Sequence, residues 1–310
     1  MTIFGVSRVQ QAMSALWILL ALAHPPCLSV QRLLHSPYPL ASVPVSTRAL
    51  TVRWRQTYAH GWPAPPPAPL PAPLSMREDA RYSVAYGLIG SIGELRVFID
   101  DEHAEGTRRF IKVGGQGHGS ILGIGRSEKR VDGEFDPAAL SARRWTMARS
   151  GGDAVVDTVE QPQAATLNMT RQKAGAPSAS RTAWFATPTL DPVGLLMRLR
   201  AAPPDDEHPL VLQLLDGQAL WRVTLTWVGP QPVPSPDDAQ PSIGLRVNGR
   251  ADPIYYDGRD ATDRPRRTFV VWLSNDSARV PLRLTMPIGP ADVVVQLIEA
   301  TRRPRLTVAP

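Results

Sequence analysis

The sequence predicts a mainly β protein: a curved antiparallel sheet or partial barrel with one short covering helix, behind a signal peptide and a Pro-rich linker. Three observations predict it. After Arg77, apolar and polar residues alternate in short runs, the period of strands with one buried face. Between the runs stand turn pairs such as Asp216-Gly217 and Asp257-Gly258. One segment alone, after Asp191-Pro192, carries apolar residues at helical spacing.

The amino-terminal segment predicts the compartment. Arg8 is the only charge before an apolar run from Ala12 to Ala23 that closes on the small-x-small triplet Ala21-Leu22-Ala23. As a helix this run rises only about 18 Å, short of the roughly 30 Å hydrocarbon core of a bilayer. Residues 1–23 are therefore expected to be a signal peptide, cleaved after Ala23, with export to the periplasm. A retained inner-membrane anchor is the alternative, and cleavage would leave a protein that is membrane-peripheral at most. Cys27 is the only cysteine, so no internal disulfide forms. The His24-Pro25-Pro26 before it lacks the small residues that lipid attachment expects.

Residues 24–75 read as a Pro-rich disordered linker. Within it, Pro63 to Pro73 alternates proline with alanine and leucine, a composition that favours a semi-rigid polyproline II spacer. Leu50 to Tyr58 carries a strand-like pattern. The β-rich domain spans 76–301, and 302–310 is a tail.

Within the domain the first strand aligns Tyr82, Val84, Tyr86 and Leu88; the next aligns Leu95, Val97 and Ile99; a third follows at Arg109, Ile111 and Val113. Further strands are expected at 154–159, 165–171, 220–228, 243–247, 268–273, 279–286 and 292–299. Asp132-Gly133 and Asn248-Gly249 are read as turns, like the two Asp-Gly pairs above. Asp191 supplies a capping carboxylate, Pro192 takes the first helical position, and Leu195, Leu196 and Leu199 form the apolar stripe up to Arg200.

Charge and motifs exclude more than they assign. The formal net charge is +6, arginine-dominated, with Lys112, Lys129 and Lys173 the only lysines. Scattered arginines fit solvated strand faces better than a basic patch, and no nucleic-acid partner is expected. Gly114-Gly115-Gln116-Gly117-His118-Gly119-Ser120 resembles a phosphate cradle but has neither G-x-G-x-x-G nor a following Gly-Lys-Ser/Thr, so it reads as a glycine-kinked strand. His118 and Ser120 share a strand face without a nucleophile elbow or an orienting acid. The repeated tetrapeptide Asp100-Asp101-Glu102-His103 and Asp205-Asp206-Glu207-His208 offers carboxylate and imidazole without the spacing of common zinc motifs. No cofactor, metal or catalytic residue is expected. Trp145, Trp184, Trp221, Trp227 and Trp272 fit either a core or a groove.

Several stretches carry a resemblance: Arg81-Tyr82-Ser83-Val84, Phe135-Asp136-Pro137-Ala138-Ala139-Leu140, Asp191-Pro192 with its leucines, and Val271-Trp272-Leu273-Ser274-Asn275-Asp276 running into Arg279-Val280-Pro281-Leu282-Arg283-Leu284. From about Asp79 to Ala300 the chain resembles the bacterial domain-of-unknown-function family three thousand one hundred and eight, apart from a long loop at Pro230 to Pro241. The resemblance implies a curved periplasmic β domain and supplies no activity. More distantly, the strand succession is similar to the Lol-type lipoprotein carriers.

The leading functional expectation is a non-enzymatic periplasmic protein that binds a lipid or lipid-linked, amphipathic envelope component in the sheet's concavity. Its ligand-groove candidates are Leu195, Leu196, Leu199, Trp221 and Trp272. The alternative is an assembly module that meets envelope proteins through a sheet edge, tethered by the proline spacer. A hydrolase built around His118 or His208 is third.

Overall fold

The computed structural model describes residues 74–304 apart from 106–107, 122–123, 151–153, 164–165, 186–187, 203, 206, 218 and 235–241. The expected leader, Cys27, Leu50 to Tyr58, and Pro63 to Pro73 lie outside the described residues. Among the described residues fifteen strands form one sheet. They are β1 Met76–Tyr86, β2 Gly90–Glu105, β3 Arg108–Ile121, β4 Ile124–Asp136, β5 Ser141–Ser150, β6 Val155–Gln163, β7 Thr166–Lys173, β8 Ala179–Trp184, β9 Thr189–Leu190, β10 Leu210–Asp216, β11 Ala219–Pro232, β12 Ile243–Ile254, β13 Arg267–Ser274, β14 Pro281–Ile288 and β15 Ala291–Pro304. Among the described residues one α-helix, α1, covers Pro192–Ala201.

Alternation decides which face each strand buries. In β11, Trp221, Val223, Leu225 and Trp227 are buried while Thr226 and Val228, on the other face, are exposed. In β1 the buried set is Ala80, Tyr82 and Val84. These inner faces and α1 share one apolar core, in which Trp145, Tyr82, Phe135, Leu95 and Ile99 are among the largest fully buried side chains.

The expectation of a strongly curved sheet, or a partial barrel, is corrected by the strand order. The sheet is open. Its order is β8-β7-β6-β5-β4-β3-β2-β1-β15-β14-β13-β12-β11-β10-β9, and β8 and β9 are its two ends, each paired on one side only. All ladders are antiparallel except that of β9, which runs parallel to β10 for two residues. Period-two patterning specifies antiparallel neighbours, but closure requires the terminal strands to pair with each other, and alternation carries no signal for that.

Two expected turns are strand interior. Asp132-Gly133 lies within β4 and Asn248-Gly249 within β12. A Cβ at Gly249 would stand 2.2 Å from the Phe269 ring, so glycine is there to admit an aromatic side chain from the neighbouring strand. Asp216-Gly217 and Asp257-Gly258 do turn, with Gly217 at φ 60 and Gly258 at φ 85.

α1 starts as its cap residues dictate. Asp191 is extended, and its Oδ1 accepts from the N–H groups of Val193 at 2.9 Å and Gly194 at 3.1 Å. Val193, Leu196, Met197 and Leu199 are buried, and the helix packs on β3, β4 and β5 as well as β9 and β10. Its carboxyl end is held by an ion pair with almost no solvent contact. Arg200 Nη1 and Nη2 donate to Glu78 Oε1 at 2.8 Å and Oε2 at 2.7 Å, with side-chain exposures of 0% and 2%. Arg200 Nη2 also donates to the Ala278 carbonyl at 3.0 Å, while Arg279 Nη1 donates to the carbonyls of Arg200 and Ala202. Arg302 stands 3.3 Å from Glu78. Helix, β1, β15 and the β13–β14 turn thus meet at one guanidinium.

Removing one member strands a buried charge. Glu78→Leu, which leaves Arg200 with no carboxylate, is expected to lower unfolding free energy by about 3–5 kcal/mol, and adding Arg200→Met to recover most of it. Urea unfolding of the single and double variants measures both. Asp191 gives a second test. Burial without a cation pushes its carboxyl up to about 6 from 3.8, against the backbone N–H donors of Val193, Gly194 and Asp191 itself, which favour the anion. The native state therefore holds the proton that the unfolded chain releases, and stability falls as pH rises from about 4 to about 6, then levels. Asp191→Asn keeps a capping oxygen and loses this dependence. The variant-minus-parent difference in unfolding free energy should grow in the variant's favour across that window, and parallel curves would refute the assignment.

Candidate functional site

The five groove candidates are not brought together. Leu196 and Leu199 are buried beneath α1 and Leu195 is half-buried against the same core. Trp221 lies on the inner face of β11. Trp272 alternates with Val271 and Leu273, which face the core, and so occupies the outer face of β13. There it lies under the Arg246 guanidinium, 5.9 Å from the ring centroid. The volume under the helix is filled: Met197 is 0% and Val193 1% exposed, and a Cβ at Gly194 would already touch Ala142.

The polar candidates are equally dispersed. The glycine-rich segment is a continuous strand, and Gly114 in it leaves room for protein rather than ligand. A Cβ at Gly114 would meet the Phe98 ring at 2.3 Å, and one at Gly93, opposite Gly119, would meet the His118 carbonyl at 2.2 Å. His118 is exposed between Glu94 and Glu128, its cross-strand neighbours, an acid placement that only register reveals. Glu128 Oε1 is taken by Gln116 Nε2 at 2.7 Å, and among the described residues no hydrogen bond joins His118 to Ser120 or to either carboxylate. His103 lies 3.8 Å from Glu134 and against Phe110; His208, 78% exposed, sits 3.3 Å from Asp205 in its own turn. Among the described residues no three potential ligands gather around a common point.

What the fold does leave open is an edge. β9 is protected: it has two residues, both buried, and the Thr189 N–H donates to Gln161 Oε1 at 3.2 Å. β8 is not. All its residues but Ala183 are exposed, and its pairing with β7 runs without a bulge from Thr166↔Trp184 to Arg171↔Ala179. No proline interrupts it, and Arg181 is its only charge. The backbone N–H and C=O groups turned away from β7 have no partner among the described residues. Side chains brace the strand from both faces. Thr182 Oγ1 donates to Asn168 Oδ1 at 3.1 Å and Ser180 meets Thr170 at 3.2 Å, while on the inner face Arg181 lies over the Tyr256 ring at 4.0 Å. Phe185 packs beside the same tyrosine, at 6.0 Å between ring centroids. At the strand's end Trp184 is 68% exposed, whereas Trp145, Trp221, Trp227 and Trp272 are all buried.

Residues 179–184 were not among the expected strands. Ala-Ser-Arg-Thr-Ala-Trp is poor in β-branched residues, and the weak alternation of Ser180, Thr182 and Trp184 is the only sign of them. The described surface also carries a shallow trough of about 450 Å³ on the outer face of β11 to β14, lined by Thr224, Thr226, Asn248, Thr268 and Thr285 among others. It is the solvated face of the sheet, on the side opposite Val223 and Leu225. No helix among the described residues is long and apolar enough to cross a membrane.

No curated protein matches the chain. Among solved structures, a β-barrel-like protein of domain of unknown function DUF1849 from Brucella abortus is 10% identical, with a TM-score of 0.49, covering 74% of this chain and 98% of that one. An exported protein with a YmcC-like fold from Bacteroides fragilis is 7% identical at a TM-score of 0.31, covering 72% and 95%. LprF from Mycobacterium bovis is 11% identical at 0.26, covering 77% and 91%. At these scores none of the three carries an argument for function or for closure of the sheet. The model of a protein family of unknown function, DUF3108, matches residues 81–297, spanning the sheet from β1 to β15 and including α1, and the chain belongs to that family.

Proposed function

We propose that the domain is a non-enzymatic assembly module of the cell envelope that takes up an extended segment of a partner protein along β8. The single observation that carries this is the bare, regular, six-residue edge of β8 beside an exposed tryptophan, in a sheet whose other end is short and buried. An edge of this kind offers a ready row of donors and acceptors, and strand addition uses it for affinity while side-chain contacts select the partner. Trp184 supplies the large apolar contact at one end. The carrier reading finds less support, because the space it requires beneath α1 is occupied by Val193, Leu196, Met197 and Leu199. The envelope location rests on the amino-terminal segment alone.

A photocrosslinking residue at position 184 of the full chain, in its native host, is expected to trap a protein adduct. The same residue at Val228, which is also exposed but lies in β11, should trap none. Because adjacent residues of an edge strand point their N–H groups alternately inward and outward, proline at Thr182 or at Ala183 removes one outward donor, and the other substitution breaks the β7 ladder. The variant that keeps the parent's melting temperature is the edge block. Loss of the adduct in that variant supports strand addition; an adduct that persists refutes it.

A further inference from the structure

The outer face of β5 to β8 carries two polar rows. Side chains at alternate positions there point away from Trp145, Val159, Leu167 and Ala183, which belong to the core. Each row crosses four adjacent strands, every residue directly opposite the next. One runs Arg144, Glu160, Asn168, Thr182, and the other Thr146, Thr158, Thr170, Ser180. Neighbours within the rows touch. Arg144 Nε lies 3.5 Å from Glu160 Oε1, Thr182 Oγ1 donates to Asn168 Oδ1 at 3.1 Å, and Thr170 meets Ser180 at 3.2 Å. All four residues of the first row are exposed.

Trp184 stands on the same face, two residues beyond Thr182 and 68% exposed. Asn168 is its diagonal neighbour on β7, a separation of about 7–8 Å that an aromatic side chain and its ligand can bridge. Directly opposite the tryptophan, Thr166 is 8% exposed, and its hydroxyl is buried without a hydrogen-bond partner among the described residues. An indole left in water and a hydroxyl left unbonded are both unsatisfied in the protein alone. The charges of the two rows cancel, since Arg144 and Glu160 are their only ionised groups. What the face offers is a donor-only guanidinium, an acceptor-only carboxylate, and an amide and hydroxyls that do both.

A pyranose has the matching chemistry: hydroxyls that donate and accept, and an apolar C–H face that packs on an indole. Strands about 4.8 Å apart make a row of four span about 14 Å, the length of a short oligosaccharide lying extended. β-1,4-linked pyranoses form such a straight ribbon, whereas α-1,4-linked ones curl away from a row. An anionic polymer finds no excess of positive charge here. We infer that the outer face of β5 to β8 binds an uncharged, extended, β-linked oligosaccharide. Trp184 stacks on one sugar ring, and Asn168, Glu160 and Arg144 hydrogen-bond the hydroxyls of the units that follow. The site uses outward side chains of four strands, not the backbone edge of β8, and does not rest on strand addition.

Isothermal titration of the full chain with cellotetraose and with chitotetraose, both straight and uncharged, is expected to show saturable binding of at least one. Binding should weaken at least tenfold in Trp184→Ala and in Asn168→Ala, two exposed positions outside the core. Both variants should melt near the parent temperature, which separates loss of binding from loss of fold. Thr226→Ala, on the exposed outer face of β11, should bind as the parent does. Occupancy should also move the emission of the exposed indole to shorter wavelength, a change absent from Trp184→Ala. Asn168→Ala leaves the β8 backbone intact, so a partner protein captured at that edge should still be captured. No binding of either tetrasaccharide by the parent, equal affinity in the parent and both variants, or tighter binding of the curved maltotetraose or the anionic tetragalacturonate overturns the inference.

Discussion

The fold depends on one guanidinium that water does not reach. Arg200 ends α1 and ties it at once to Glu78 at the start of the domain, to the Ala278 carbonyl in the β13–β14 turn and, through Glu78, to Arg302 in the last strand. Strand pairing alone makes β1 and β15 neighbours, but it does not dictate where a ten-residue helix docks. A charge with no alternative partner does, because leaving it unpaired in an apolar core is far more costly than docking the helix in one place.

That constraint also explains why the inner face is packed rather than hollow. Held at its carboxyl end by Arg200 and at its amino end by the buried Asp191 cap, α1 presses Val193, Leu196, Met197 and Leu199 into the strands on either side. A helix anchored at both termini fills a sheet's apolar face. What remains accessible is then peripheral: the backbone of β8, and the outer face on which Trp184 and Asn168 meet solvent.

The sequence is legible where a single residue's chemistry decides the local structure. Alternation of Tyr82 with Val84 marks β1, and Asp191-Pro192 marks the first turn of α1 to the residue. It is illegible where a neighbour decides. Gly133 and Gly249 look like turn residues and lie inside strands, Gly249 because the ring of Phe269, about twenty positions away, needs the space. Trp272 looks like a groove residue and lies on the face away from the core, because its parity is fixed by Val271 and Leu273. The expected closure failed for the same reason, since alternation describes each strand's faces and not the fate of the last edges. The polar rows were the least visible of all: their residues read as solvated, and only the register shows that Arg144, Glu160, Asn168 and Thr182 stand side by side.

The inequality of the sheet's two ends limits what the molecule can build. Filaments grow by strand addition when each subunit offers an acceptor edge and a donor edge, so that every copy recruits the next. Here β9 is too short and too deeply buried to recruit anything, leaving β8, among the described residues, as the one edge open to extension. Copies of this domain therefore cannot extend one another end to end through the two edges of their sheets.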